Sequence, residues 1–305
     1  MALIEIFKGQ GKTGFGYGST SEEVTRGLSL SGKTILITGC NSGLGQEALR
    51  VLSLRGAKII GAARTLEKAQ TACSDGATQF IPIECELSEP KSVRNCVSQI
   101  RKMDLKLDAV ICNAGIMALP KLQQAYGYEL QFFTNHIGHF ILVTGLLNQL
   151  CEHGRVVMLS SEAHRMAPRG GIEFDNLSGE RAYRDWTAYG QSKMANLLFA
   201  KELARRLHGS SKTANAVHPG VIATNLGRHM HPVARSLFKV LTPLVLKDVA
   251  QGAATELFVA THPSMNSVSG EYFSDCNIIQ PRKDAEDPSL AARLWEVSEQ
   301  IVARF

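Results

Sequence analysis

Between Lys33 and Val217, short aliphatic and β-branched runs alternate with segments of helical spacing, and that alternation narrows the fold more than any other feature of the chain. Lys33–Thr38, Ala57–Ala62, Thr78–Ile83, Leu107–Cys112, Arg155–Leu159 and Thr213–Val217 read as strands. Gly43–Gly56, Leu66–Cys73, about Glu89–Met103, Tyr126–Leu150 and about Tyr189–Leu207 read as the helices between them. Strands separated by helices imply βαβ units, hence an α/β fold with a parallel sheet and helices on both faces. No repeat or low-complexity linker divides the 305 residues. The expectation is one domain, residues 31–305, preceded by a Gly-rich polar arm, residues 1–30.

Composition removes several classes. There are 33 Lys and Arg against 28 Asp and Glu, a formal charge of +5 spread along the chain. So mild a balance does not point to nucleic acid. Seven cysteines (Cys40, Cys73, Cys85, Cys96, Cys112, Cys151, Cys276) are odd in number, widely spaced and without a Cys-x-x-Cys pair. They fit reduced thiols in a cytoplasmic protein better than a disulfide framework or a zinc knuckle. Met1–Lys8 is too short and charged for a secretory signal, and no stretch has the ~20 apolar residues of a membrane-spanning helix.

Two Gly-rich loops compete for a phosphate. Gly9-x-Gly11-x-x-Gly14 matches a dinucleotide pattern by letter, but Phe15-Gly16-Tyr17-Gly18-Ser19 follows it and cannot start a stable helix. Gly11-Lys12-Thr13 hints at a Walker loop, where the leading glycine would have to be Ile6. The second loop, Thr38-Gly39-Cys40-Asn41-Ser42-Gly43-Leu44-Gly45, follows a strand and opens an amphipathic helix. Gly39 suits the tight turn, Gly43 lets the backbone approach a pyrophosphate, and Gly45 lets helix and strand pack closely.

The spacing Thr-Gly-x-x-x-Gly-x-Gly resembles the short-chain dehydrogenase/reductase family. Further landmarks agree in order: Asn113-Ala114-Gly115, Asn135, Ser160-Ser161, Tyr189-x-x-x-Lys193 and His218-Pro219-Gly220. Asn135-His136-x-Gly138-His139-Phe140, Ser160-Ser161-x-Ala163-His164, Leu203–Leu207 and the late Ser269–Cys276 stretch are similar to its retinol-dehydrogenase-like branch, which includes WW-module oxidoreductases. The chain departs from that branch in lacking an N-terminal anchor and a WW module, and in having Glu86 where Asp is usual. The resemblance implies a Rossmann-like doubly wound sheet of about seven strands, order 3-2-1-4-5-6-7. It also implies NADP(H) held by Gly39, Asn41, Ser42, Gly43, Leu44, Gly45, Arg64, Glu86, Leu87, Asn113, Ala114, Gly115, Tyr189, Lys193, Pro219, Gly220, Val221 and Thr224. Catalysis would fall to Asn135, Ser161, Tyr189 and Lys193, with Asn135 holding a water that links Lys193 to solvent.

The residue types suit that chemistry. Tyr189 and Lys193 are four apart on one helix and share a face. An ammonium ~4 Å from a phenol attracts its anion by about 4 kcal/mol at an effective dielectric of 20, enough to lower the phenol by one to three units. Tyr189 could then pass a proton to or from a substrate oxygen while Ser161 donates a hydrogen bond to it. His136-x-x-His139 lacks a third ligand, so packing and hydrogen bonding fit it better than metal.

At the end of the second strand, Ala62-Ala63-Arg64-Thr65 carries no acidic residue, the group that selects NAD, whereas Arg64 suits a 2′-phosphate. Arg235–Lys247 has an apolar core with basic ends. It fits either a buried helix or a flap over a lipophilic substrate that reaches a membrane surface, the outer part of a substrate-side lid, residues 221–247. A homo-oligomer is neither indicated nor excluded. The expected activity is carbonyl–alcohol interconversion on a lipophilic substrate; a non-catalytic NADP-binding regulator on the same fold is the alternative.

Overall fold

The computed structural model describes residues 9–72, 79–222 and 246–305. Eight strands form the main sheet: β1 (Thr34–Thr38), β2 (Lys58–Ala63), β3 (Phe80–Glu84), β4 (Leu107–Cys112), β5 (Leu150–Leu159), β6 (Thr213–His218), β7 (Tyr272–Ser274) and β8 (Asn277–Ile278). Their order is β3-β2-β1-β4-β5-β6-β7-β8, parallel except for the antiparallel edge pair β7–β8. This is the doubly wound order expected from the sequence, with one short strand added at the edge. β1 is central, with Leu36 opposite Ile60 of β2 on one side and Val110 of β4 on the other. The winding reverses between β1 and β4, and the crevice at their C-terminal ends is where such sheets take ligands.

All five residues of β1 are buried because helices cover both faces. Its side chains alternate between two cores. Leu36 joins Val93, Phe140, Leu197 and Trp295 on one face, while Ile35 and Ile37 join Leu49, Val51 and Phe258 on the other. The helices are α1 (Ser21–Val24), α2 (Gly43–Leu54), α3 (Leu66–Gln70), α4 (Pro90–Lys102), α5 (Gly138–Leu146), α6 (Asp185–Arg206), α7 (Val249–Thr261) and α8 (Pro288–Val302). None among the described residues is long and apolar enough to cross a membrane. The six described cysteines are free thiols.

Three boundaries differ from the sequence reading. Residues 124–129 form a tight hairpin, Gln124–Ala125 against Tyr128–Glu129, turning through Tyr126 and Gly127 at φ 55° and 81°. The long helix therefore starts at Leu130, capped by the Glu129 carboxylate, and widens into a π-helix over Phe133–Ile137 before α5. β5 begins at Leu150, paired with Leu107, and its polar Glu152-His153-Gly154 stretch hides that start from an apolar pattern. α6 begins at Asp185, so Tyr189 lies one turn inside it.

Residues 9–15 lie against the C-terminal half of the domain, while 21–30 are bonded to α2 and Arg55 just beyond it. Asn277 bonds Thr13 and the Phe15 carbonyl, and the Phe15 ring meets Phe258 edge-on at 5.5 Å. The Gly9–Gly14 loop thus packs beside β8 with no helix after it until Ser21.

Glu256 on α7 is fully buried, and neither carboxylate oxygen has a hydrogen-bond partner among the described residues. Burial pushes its carboxyl from 4.5 up to about 8. The folded protein therefore holds a proton that the unfolded chain releases between those values. This contribution to stability is complete below pH 4.5 and is lost as pH rises through about 8, at up to about 1.4 kcal/mol per pH unit. Glu256→Gln should remove that slope. Urea unfolding of both proteins from pH 5 to 9 checks it: the variant gains relative to the parent as pH rises, and parallel curves would refute the assignment.

Candidate active site

The site assembles at the C-terminal ends of β1, β4, β5 and β6. β1 runs into Gly39, whose φ of 70° makes the turn, and α2 begins at Gly43, φ 54°. A Cβ on Gly43 would meet nothing within 4 Å, whereas one on Gly45 would overlap the Gly39 carbonyl and the Asn113 amide. Gly43 is thus the open side of the loop and Gly45 the packed side. Ser42 caps α2 without a side-chain bond, leaving the first-turn N–H groups to face an anion. Asn41 and Leu44 are half-buried beside it.

The Asn113–Gly115 loop is locked to β1. The Asn113 amide donates to the Thr38 carbonyl (2.8 Å), and the Ala114 N–H donates to Thr38 Oγ1 (3.0 Å). Arg64, just past β2, is exposed and has no bonded partner among the described residues. Glu86 turns back on its own loop, accepting from the Ser88 N–H (3.1 Å) and hydroxyl (2.8 Å), while Leu87 is buried beneath Gly138. Pro219 and Gly220 follow β6, and Val221 is exposed. Thr224 and residues 223–245 of the expected lid lie outside the described residues. The ends of that stretch are joined: Ile222 bridges Lys247, which is itself buried, paired with Asp275 at 2.7 Å and 4.9 Å from the Tyr17 ring centre.

Four side chains from three elements converge. The Ser161 hydroxyl accepts from the Ala163 N–H (3.2 Å) and lies near enough to the Tyr189 phenol to favour its ionised form. Ser160 instead is buried, donating to the Lys193 carbonyl (2.8 Å), so the two adjacent serines have different surroundings. Lys193 Nζ lies 5.7 Å from the Tyr189 ring centre and donates to the Leu159 carbonyl (3.0 Å). Asn135, in the π-helix, accepts from the Ile116 N–H (2.8 Å) and donates to the Ile116 carbonyl and Ser192 Oγ, both at 2.9 Å. Ser192 in turn donates to the Tyr189 carbonyl (2.7 Å).

The short chain dehydrogenase family model matches residues 33–233. The chain belongs to the short-chain dehydrogenase/reductase family. It is 42% identical to a chloroplastic short-chain dehydrogenase, TIC 32 B of Brassica napus, over 96% of this chain and 95% of that one. It is 37% identical to human retinol dehydrogenase 14, over 90% and 87%. Among solved structures, an uncharacterized protein of Mycobacterium paratuberculosis superposes with a TM-score of 0.74 at 33% identity, covering 94% of this chain and 98% of that one.

Members of the family bind a nicotinamide cofactor, and the loop chemistry fits one. The open Gly43 face, the α2 N-terminus without a side-chain cap and the tight Gly39–Gly45 packing leave the space and the N–H donors that a pyrophosphate needs.

The protein's own electrostatics differ from the simple lysine–tyrosine expectation. Burial pushes Tyr189 up to about 12, outweighing the lowering by the nearby Ser161 hydroxyl, and burial brings Lys193 down to about 8. The reason is geometric. The ammonium is directed at Leu159 rather than at the phenol oxygen, so desolvation of each group outweighs their mutual attraction. Asn135 likewise has its amide engaged by protein, so an additional relay water would be an extra partner.

The sequence reading missed two contributors. Ser192 stands in plain view within Tyr-x-x-Ser-Lys, and its spacing from Tyr189 is that of a helical hydroxyl bonding back three residues. The Leu159 carbonyl carries no side-chain signal at all.

Proposed function

We propose that this oxidoreductase interconverts a carbonyl and an alcohol on a lipophilic substrate and prefers NADP(H). The observation that carries the reading is Lys193 Nζ held 5.7 Å from the Tyr189 ring centre, with Ser161 close to the same phenol. When bound, the cofactor supplies or accepts the hydride. It would be held by Gly39–Gly45, Arg64, Asn113–Gly115 and the Pro219–Val221 turn, with Lys193 bonding its nicotinamide ribose.

In reduction, Tyr189 donates its phenolic proton to the substrate oxygen as negative charge grows there. A phenol held near 12 is fully protonated at neutral pH, which suits it to act as the acid. Ser161 donates to the same oxygen and offsets that charge. Lys193 supplies positive charge behind the phenol, lowering the energy of the phenolate left after transfer. Asn135 and Ser192 fix the pitch of the helix that presents Tyr189. Tyr189→Phe should lower turnover by about 10² or more while leaving NADPH affinity near that of the parent. Near-normal turnover in steady-state assays would sink the tyrosine mechanism.

Cofactor preference rests on Arg64. Exposed and unpaired among the described residues, it can close a bidentate contact on a 2′-phosphate without giving up an existing ion pair. Such a contact is worth roughly 1.5–3 kcal/mol, about ten- to a hundredfold. Arg64→Ala should weaken NADPH by that factor and barely change NADH. Fluorescence titrations with both cofactors decide it, and equal losses would remove the assignment.

The lipophilic substrate is supported by the rim. Met117, Met166, Trp186 and Val221 are exposed apolar side chains on segments that follow β4, β5 and β6 or open α6. The Trp186 ring meets Tyr189 edge-on, centres 6.1 Å apart. The relatives named retinol dehydrogenases support the same class. A panel of short, long-chain and polyene aldehydes and ketones with NADPH tests it. KM should fall with apolar size, and a preference for small polar carbonyls would overturn it.

A further inference from the structure

His139 lies between the two loops of the cofactor cradle and the π-helix, and its hydrogen bonds admit one direction only. The Ala114 N–H can only donate, and it donates to Thr38 Oγ1 (3.0 Å). The Asn135 carbonyl, 2.8 Å from Nδ1, can only accept, so Nδ1 carries the ring proton. The neutral ring then keeps its lone pair at Nε2, which receives the Thr38 proton at 3.0 Å. The chain runs Ala114 N–H to Thr38 O–H to His139 to the Asn135 carbonyl, with every group matched. His139 is fully buried, and burial holds it neutral.

The neighbouring histidine serves as a contrast. His136 is equally buried on the same stretch, but its Nε2 pairs with Ser298 of α8 and its Nδ1 has no partner among the described residues. One histidine anchors a distant helix; the other joins the strand end, the Asn113–Gly115 loop and the turn that carries Asn135.

The geometry points to His139 as a positioning residue that couples the cofactor cradle to the catalytic asparagine through its Nδ1–H tautomer. Asn135 sits in a π-helix, where the backbone ladder is widened to i+5 spacing. The His139 ring adds a side-chain donor to the Asn135 carbonyl, and Thr38 fixes the ring that does so. Disturbing the ring should therefore loosen Ala114 on one side and Asn135 on the other. This inference rests on the proposed reaction only for its turnover readout.

The test uses full-length protein with ¹⁵N-labelled histidine. Long-range ¹H–¹⁵N spectra of the cofactor-free protein should show His139 as neutral Nδ1–H, a readout independent of any activity. An Nε2–H or imidazolium signature overturns the chain. His139→Phe keeps the ring volume and removes both bonds. It should weaken NADPH about tenfold and lower turnover about tenfold, with non-additive losses when combined with Thr38→Val. His139→Asn, which retains a donor for the Asn135 carbonyl, should recover turnover more than NADPH affinity. His139→Gln, which retains an acceptor for Thr38, should do the reverse. His136→Phe, measured alongside, should lower the melting temperature without either functional loss. If His139→Phe behaves like His136→Phe, the residue is structural and the proposal fails. Should His139→Phe not fold, the opposed pattern of the Asn and Gln variants decides, and identical losses in both refute it. If the parent binds NADPH but turns over no carbonyl, the proposed reaction fails while the tautomer and NADPH affinities still judge His139.

Discussion

At the end of β1 two stretches of backbone approach so closely that a methyl group would not fit between them. A side chain at position 45 would occupy the space of the Gly39 carbonyl, and that same space is bounded by the Asn113 amide. Because the first turn of α2 is drawn in this far, its N–H groups reach the crevice between β1 and β4. Because Asn113 is drawn in from the other side, the loop after β4 is set against the same point. The hydroxyl of Thr38 then serves both the Ala114 N–H and His139, and through His139 the close approach extends to the turn bearing Asn135. Phosphate cradle and catalytic groups therefore share one mechanical reference.

The catalytic side of the crevice depends on a second set of main-chain partners. Leu159, the last residue of β5, receives Lys193 and Asn196 from α6, while Ser160 holds the carbonyl of Lys193. These bonds draw α6 against the strand end and leave the next residue, Ser161, to meet the phenol. Desolvation is the energetic consequence: the phenol is held protonated and the lysine ammonium is destabilised, opposite to what their attraction alone would produce. An acid–base pair arranged this way has its working charge set by what enters the crevice, since new partners for Lys193 change the balance more than the resting contacts do.

Much of this was legible in the sequence where a local constraint has a residue signature. The β1–α2 turn is one case, since only glycine meets both the positive φ at position 39 and the contact at 45. The parallel sheet followed from the alternation of strands and helices, and its strand order from the family resemblance that the motifs carry. The hairpin at 124–129 was not legible because Tyr126 fills a turn position where Asn or Asp would advertise the bend, and helical spacing continues straight through it. Nor does the π-helix announce itself, as one extra residue in a helical turn leaves no compositional trace. The shifted phenol and ammonium depend on how much water packing removes, which no spacing encodes.

The joined ends at Ile222 and Lys247 have an evolutionary consequence. The two backbones are bridged, and the lysine is paired with Asp275. Once two ends are held together, doubling the intervening chain adds only about 0.6 kcal/mol of closure entropy. A change in the number of residues that connect Ile222 to Lys247 then costs the bridge little closure entropy. Descendants of this chain can vary the length of that connection while the bridge between its ends remains affordable in entropy.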